Sequence, residues 1–477
     1  MYEFLKERGW FEEEEVGMSV PLFGYGFYGY APQAPQVYTF NGTTPGYTGF
    51  PGFPGFSQTP RVLTGDDANN IFRLFGSWMN QFVFAGGGND WIRGGGQNNV
   101  NVVRGQQGND VIVLNGQNNW NFGFGGPGDD RFRMAGWENV NVARGGPGDD
   151  VFRQGGRENW NFAVGAQGND RIVQAGWNNV NTARGGVGDD FIRQGGRENW
   201  NFAVGAQGND VIFQGGNTNV NTAWAGSNGD TIRQMGSNND NWAYGGAGND
   251  FIRQGGFFNN NFAQAGGGND TIIQAGRQSN NTAIGSTGND HIVTGGIHNL
   301  NTVRAGAGND TVVARGQLNT VDVRTGLGED KVFTLGSQNS GTIHTGQGND
   351  TVFASGTHNR LSLDGGAGHD VLSLVGAQTS WAATHAADGS TVYKNASTGE
   401  EYTVRNFEQV VYTTAPVAPP PIPNPPASNA PVTPPAPQHQ PPTTTYTPPA
   451  PTPAPNPPVY QASQPVKPPV TYAAQSK

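Results

Sequence analysis

Along most of this chain the apolar positions recur every twenty residues. Ile92, Ile112, Phe132, Phe152 and Ile172 open a series that runs to Leu372. Around them apolar and polar residues alternate over short stretches, and glycines interrupt the alternation. That pattern is the period-two signature of short strands joined by tight turns. The stretch GGRENWNFAVGAQGND at 155–170 returns verbatim at 195–210. A strict period near twenty marks a stacked solenoid; helical repeats are usually longer, and glycine at this density weakens a helix. The expected fold is all-β: a right-handed parallel β-solenoid, β-roll-like, with one coil per twenty-residue copy. At about 4.8 Å per coil, about fifteen coils make a rod of roughly 70 Å.

The flanks lose the period. Residues 1–60 are an irregular arm, acidic at first (1–17 suit a short amphipathic helix) and then rich in Tyr, Phe, Gly and Pro. Residues 61–85 read as a degenerate capping coil, with Asn70 where an Asp is expected. The repeat proper spans 86–370. Residues 371–413 form a small β-strand cap, in which TVYKNA and EYTVRNFEQVVY alternate as strands do. Residues 414–477, rich in Pro, Thr, Ala and Gln, read as a polyproline-type tail or spacer, and both arms are expected to be disordered.

Within the repeat an Asp precedes each apolar marker by two positions. The series is Asp90, Asp110, Asp130, Asp150, Asp170, Asp190, Asp210, Asp230, Asp250, Asp270, Asp290, Asp310, Asp330, Asp350 and Asp370, without an insertion. Each ends a glycine-rich turn such as GGAGNDFIR at 245–253 or GGVGDDFIR at 185–193. Glycine lets a backbone turn its carbonyls inward, and stacking the turns lines up the carboxylates in one column. Such a column repels itself unless a cation sits between successive turns, and calcium accepts this oxygen-rich shell. The competing reading, an Asp that only hydrogen-bonds its own turn, leaves unexplained why no Asn or Ser replaces it in fifteen copies. The turns resemble the nonapeptide G-G-x-G-x-D-x-(apolar)-x of the RTX, or hemolysin-type, calcium-binding repeats. That resemblance implies Ca2+ held at the fifteen Asp positions. It also implies export by a one-step type I route without an N-terminal signal, and a closing segment with the signature of Asn406, Phe407, Glu408 and Val410. Only one half of each coil carries the motif, so one calcium column is expected rather than two; the copy at 226–230, GSNGD, is damaged.

The other half carries Asn at 99, 119, 139 and onward, and again at 101, 121, 141 to 301. Val321, Val323, Leu361 and Leu363 fix the inward phase in the last coils, which places Asn161 and Ala163 inside as stacked amide ladders. The outward positions then form an aromatic strip: Phe82, Phe84, Trp120, Phe122, Phe124, Trp160, Phe162, Trp200, Phe202, Trp242 and Phe262. A long exposed strip marks a contact surface. The alternative is an inverted phase in the middle coils, with these rings filling the core.

Composition narrows the classes. The 477 residues include 75 Gly and 32 Pro but no Cys, which excludes disulfides and Cys-ligated zinc. The net charge of −10 argues against nucleic acid as a partner. No run of eighteen apolar residues suits a membrane span, and the acidic start MYEFLKERGWFEEEEVG lacks the apolar core of a secretory signal. No zinc-protease, P-loop or nucleophile-elbow motif stands in a suitable context, and the seven histidines form no ligand spacing and are expected at the surface. The expected protein is therefore not an enzyme. It is a secreted, calcium-stabilised structural or adhesive protein that self-assembles into a cell-surface layer, matrix or filament. The alternative is a polysaccharide-binding module using the aromatic strip.

Overall fold

The computed structural model describes residues 60–430. The expectations for the N-terminal helix and aromatic arm, and for the tail beyond 430, lie outside the described residues.

The described residues form thirty-six strands, β1–β36 in chain order, in two sheets, and the strands alternate between the sheets up to the cap. Sheet A begins with β1 (Arg61–Thr64) and β3 (Asn80–Gly86), and sheet B with β2 (Ile71–Leu74) and β4 (Trp91–Gly94). Every coil adds one parallel strand to each sheet in a register of twenty: β11 (Trp160–Gln167) pairs β13 (Val180–Val187) as Asn161↔Asn181 and Ala163↔Ala183. The result is a parallel β-solenoid of about sixteen turns, as the period predicts. The only helical element among the described residues is a single 3-10 turn at Gln378–Ser380.

The cap is one more coil with a hairpin inserted. Strands β33 (Trp381–His385) and β34 (Thr391–Asn395) pair antiparallel. Then β35 (Glu400–Arg405) joins sheet A beside β31 (Arg360–Ala367). Finally β36 (Gln409–Thr413) joins sheet B beside β32 (Val371–Val375). The buried Tyr402 and Trp381 rings stack 5.7 Å apart and close the end of the core. The inserted hairpin and β36 cover the edge of the last full coil, so that coil is not itself open to extension by another chain.

The interior changes along the rod. At the ends it is aliphatic and aromatic: Leu74, Leu114 and Met134 at one end, Leu361, Leu363, Leu372 and Leu374 at the other. Between them, Ile and Ala alternate with polar ladders. Asn101 to Asn301 are buried, and each from Asn101 to Asn281 donates from Nδ2 to Oδ1 of the next, as in Asn161 to Asn181 at 2.9 Å. The inward phase read from the sequence is therefore correct, and the alternative with aromatic rings in the core is overturned: those positions hold amides. A second ladder went unread. Gln154 to Gln274 are also buried, and Gln174 Nε2 donates to Gln154 Oε1 at 2.7 Å and to the Thr182 carbonyl at 2.9 Å. A buried amide is costly alone, but in a stack each partner satisfies the next, for a net gain of about 1 kcal/mol per bond.

The rings of the strip point out of sheet A, though not uniformly. Trp160 and Trp200 are 53% and 50% exposed, and Phe84 is also exposed, with the Arg104 guanidinium 5.8 Å from its ring centre. Phe122, by contrast, is buried against Val102 and Val142, with Phe82, Trp120, Phe124 and Phe162 packed around them, so this part of the strip shields itself. Phe202, Trp242 and Phe262 are half-buried. Trp224 and Tyr244, not counted in the strip, continue a chain of ring contacts from Phe202 to Phe262 with centroids 5.5–6.1 Å apart. The expectation that the histidines lie at the surface fails at His291, which is buried on the outward side of sheet B.

Candidate metal-binding column

The Asp turn joins each sheet A strand to the following sheet B strand, so the parallel register stacks one Asp above the next. All fifteen, Asp90 to Asp370, are buried. From Asp110 onward, Oδ1 accepts the backbone N–H of the Asp one coil earlier: Asp110 from Asp90 at 2.7 Å, Asp190 from Asp170 at 2.7 Å, Asp370 from Asp350 at 2.8 Å. The column is closed at both ends. Asn70 N–H donates to Asp90 Oδ1 at 2.6 Å. At the other end Glu408 Oε2 takes the N–H of Asp370 at 2.7 Å, which gives the late Glu of the cap a definite role.

The second oxygen has nothing. Oδ2 of every one of the fifteen is buried without a hydrogen-bond donor. In nine coils it lies against a glycine five residues earlier, where a Cβ on Gly145, Gly165 or Gly185 would collide with Oδ2 of Asp150, Asp170 or Asp190; Ala stands there in four coils and Thr325 and Thr345 in two. Where Thr325 replaces that glycine, its hydroxyl donates instead to the Thr345 carbonyl at 2.6 Å. The turn residue two before the Asp sits at positive φ, a glycine in every coil but that of Asn228; at Gly148, φ +135°, an added Cβ would collide with the Gly128 carbonyl oxygen of the neighbouring coil. That packing excludes a side chain and keeps the carbonyls of neighbouring turns close together.

Burying so many carboxylates raises their proton affinity. Desolvation, with repulsion between neighbouring carboxylates adding to it, pushes Asp110 up to about 7, Asp130 to about 8, Asp150 to about 9 and Asp170 to about 10. Asp230 rises to about 9 and Asp310 to about 8, while Asp250 and Asp290 rise only to about 6. A buried oxygen without a donor, repeated in every coil, is a demand for positive charge. A cation fits this donor set: carboxylate oxygen from the Asp, and carbonyl oxygen from the glycine turns. No three His, Asp or Glu side chains converge among the described residues, so the backbone has to supply much of the shell. That is the ligand mix a hard cation such as calcium takes.

The residue before each Asp is also less free than its variability implies. Asn109 N–H donates to Asn89 Oδ1 at 2.7 Å, and Asn169 N–H to Asp149 Oδ1 at 2.7 Å. This outer ladder runs opposite to the Asp ladder, and Asn and Asp serve it equally. Its alternation in the sequence hid it.

These features define a parallel β-solenoid whose coils each present one glycine-rich turn with a buried, unsatisfied carboxylate. The family model for the RTX calcium-binding nonapeptide repeat (four copies) matches residues 75–100, 100–120, 235–253, 255–273, 276–296, 301–326 and 335–372. The chain carries RTX calcium-binding repeats. The coils between 121 and 234, which that model passes over, keep the same Asp-to-Asp bonding. No curated protein matches the sequence. RTX repeats stacked as a β-solenoid fit a calcium-binding structural protein, and such repeats are typical of secreted proteins. No helix among the described residues is long and apolar enough to cross a membrane.

Proposed function

We propose that this protein is a secreted, calcium-stiffened rod that serves as a structural or adhesive component of a cell-surface layer, matrix or filament. The observation that carries the reading is the column of fifteen buried Oδ2 atoms without a donor. Calcium held by these Asp residues and the turn carbonyls would supply the missing charge coil by coil. Export by a type I route suits such a chain, since a column that repels itself without calcium stays unfolded until it meets the ion. The exposed rings of sheet A support lateral assembly of one copy on another. Titrating calcium into metal-free protein while following circular dichroism tests the stiffening: β-structure rises at millimolar calcium, and a flat response removes the proposal. Electron microscopy with and without chelator separates lone rods from lattices.

A second reading, polysaccharide recognition, rests on Trp160 and Trp200. They stand exposed two coils apart with the smaller Val180 between them, a spacing of roughly 10 Å that suits stacking of sugar rings. Replacing both by Ala abolishes glycan binding in this reading while leaving the rod folded.

A further inference from the structure

The outward face of sheet B is covered along a diagonal. One outward column carries Arg133, Arg153, Arg193, Arg233 and Arg253 in its earlier coils, then turns apolar at Ile273, Val293, Val313, Phe333 and Phe353. Val293 and Val313 are only 2% exposed, whereas Val113 and Val173 in the same column are half-buried. In the neighbouring column the covered coils are earlier: Thr231, Phe251, Thr271 and His291 are buried, while Thr311 and Thr351 are half-buried and Lys331 is exposed. The cover therefore crosses from one column to the next as it runs back along the rod.

Both ends of the covering segment are fixed. Thr413 pairs with Val375 at the C-terminal edge of sheet B. Pro426 lies over Gly229, the Ser428 hydroxyl donates to the Asn209 carbonyl, and the Asn429 N–H donates to Asp189 Oδ2 at 3.0 Å. The gap from the coil of Thr413 to that of Gly229 is about eight coils, or roughly 40 Å. The thirteen residues from 413 to 426 span about 40 Å as a polyproline helix. From Pro426 to Asn429 three residues cross two coils, again about 3 Å per residue. We infer that residues 414–427 form a polyproline strap docked in cis across the apolar stripe of sheet B, crossing the Gly–Asp ridge at Gly229.

The sequence TAPVAPPPIPNPPA suits that role. Its prolines cannot donate to a sheet, so it lies across the strands and packs by side chain alone. The repeat GSNGD, damaged by Asn228 in place of the turn glycine, also departs from its neighbours at the next position. Residues 209, 249 and 269 of the outer ladder are Asn, whereas 229 is Gly. A Cβ there would stand 3.1 Å from Pro426 Cβ, and a full Asn side chain would occupy the strap's path. The repeat that breaks the pattern is the one the strap crosses.

The test uses the full chain, which has no cysteine of its own. Asn209→Cys with Ser428→Cys, treated with a short bismaleimide reagent in calcium, gives a cross-linked monomer. Adding Val293→Arg and Val313→Arg charges the stripe and lowers the yield at least about fivefold, the change expected when one or two kcal/mol of docking is lost. Arg already occupies this register at Arg153 and Arg193, so the coil accepts it, and circular dichroism checks that the rod remains. Gly229→Asn, the residue of the flanking coils, lowers the yield independently. An unchanged yield in both variants overturns the strap, and cross-linked dimers in place of monomers overturn its docking in cis.

Discussion

The rod has two corners, and they differ by one atom per coil. At the Asn corner, Asn199 Oδ1 accepts the N–H of Asn179 at 2.8 Å, and Nδ2 donates to the carbonyls of Gly195 at 2.6 Å and Gly176 at 3.1 Å. At the Asp corner, Asp190 Oδ1 accepts the N–H of Asp170 in the same way, but Oδ2 stands where the amide nitrogen would be and finds no donor. One corner completes itself; the other is left short of a positive charge in every coil. The first coil shows the exchange within this chain. Asn70 holds the Asp position and donates from Nδ2 to the Ala68 carbonyl and to Asp66. The comparison separates a turn that folds on its own from a turn that needs a cation, on nearly the same backbone design.

The largest expected effect is on the Asp corner as a whole. Its carboxyls are raised in the folded, metal-free rod, from about 6 at Asp250 and Asp290 to about 10 at Asp170. A raised acid favours the folded state when protonated. The metal-free rod therefore has its full stability below about pH 4, the ordinary Asp value, and loses it as the pH rises through 6 and beyond. Calcium needs the carboxylate, so its binding strengthens in the opposite direction. Chelated protein should keep its β-structure near pH 4, lose it near pH 8, and regain it there on adding calcium. Circular dichroism across that range decides the matter, since a chelated rod equally stable at both pH values has no need of the cation.

Next in size is an Asp placed in the self-completing corner. Asn199→Asp sets an oxygen against the carbonyls of Gly195 and Gly176, where nothing can donate to it. Breaking a satisfied buried amide this way costs about 3 kcal/mol. The loss should show as a lower urea midpoint with calcium present. An unchanged midpoint would mean that the Asn corner also has access to cations, and the contrast between the corners would collapse.

Much of this was readable from spacing alone, because a register of twenty converts sequence period directly into contact. Asp90 to Asp370 and the Asn161 ladder follow from it. What the period could not give was relation across the coil. The Gln154–Gln274 ladder lies inside, but a lone Gln in a strand reads as a surface residue. Its burial follows only once the Thr182 and Phe202 carbonyls opposite are seen to accept from it. Glu408 looked like a family signature and is the terminal acceptor of the Asp column. Residues 414–430 read as a loose spacer because Pro-rich composition says what a segment cannot form, not what it lies against. The one legible clue was the change from Arg253 to Ile273 and Val293 on a face that should stay polar.

The smallest effect sharpens the comparison most. Asp190→Asn turns one rung of the Asp corner into a copy of the Asn corner, as Asn70 already is. Oδ1 keeps the Asp170 N–H, and Nδ2 replaces the donor-less oxygen between two turns. The variant should bind about one calcium fewer than the parent, and its metal-free form should be more stable by about 1 kcal/mol, since an unsatisfied buried acceptor has been removed. With calcium in excess the two terms oppose each other and the midpoint should barely move. Equilibrium dialysis and metal-free urea melts read the two quantities separately. If the metal-free form gains nothing, the orphan oxygen is already satisfied by water, and the demand for a cation at that rung is weaker than the buried geometry implies.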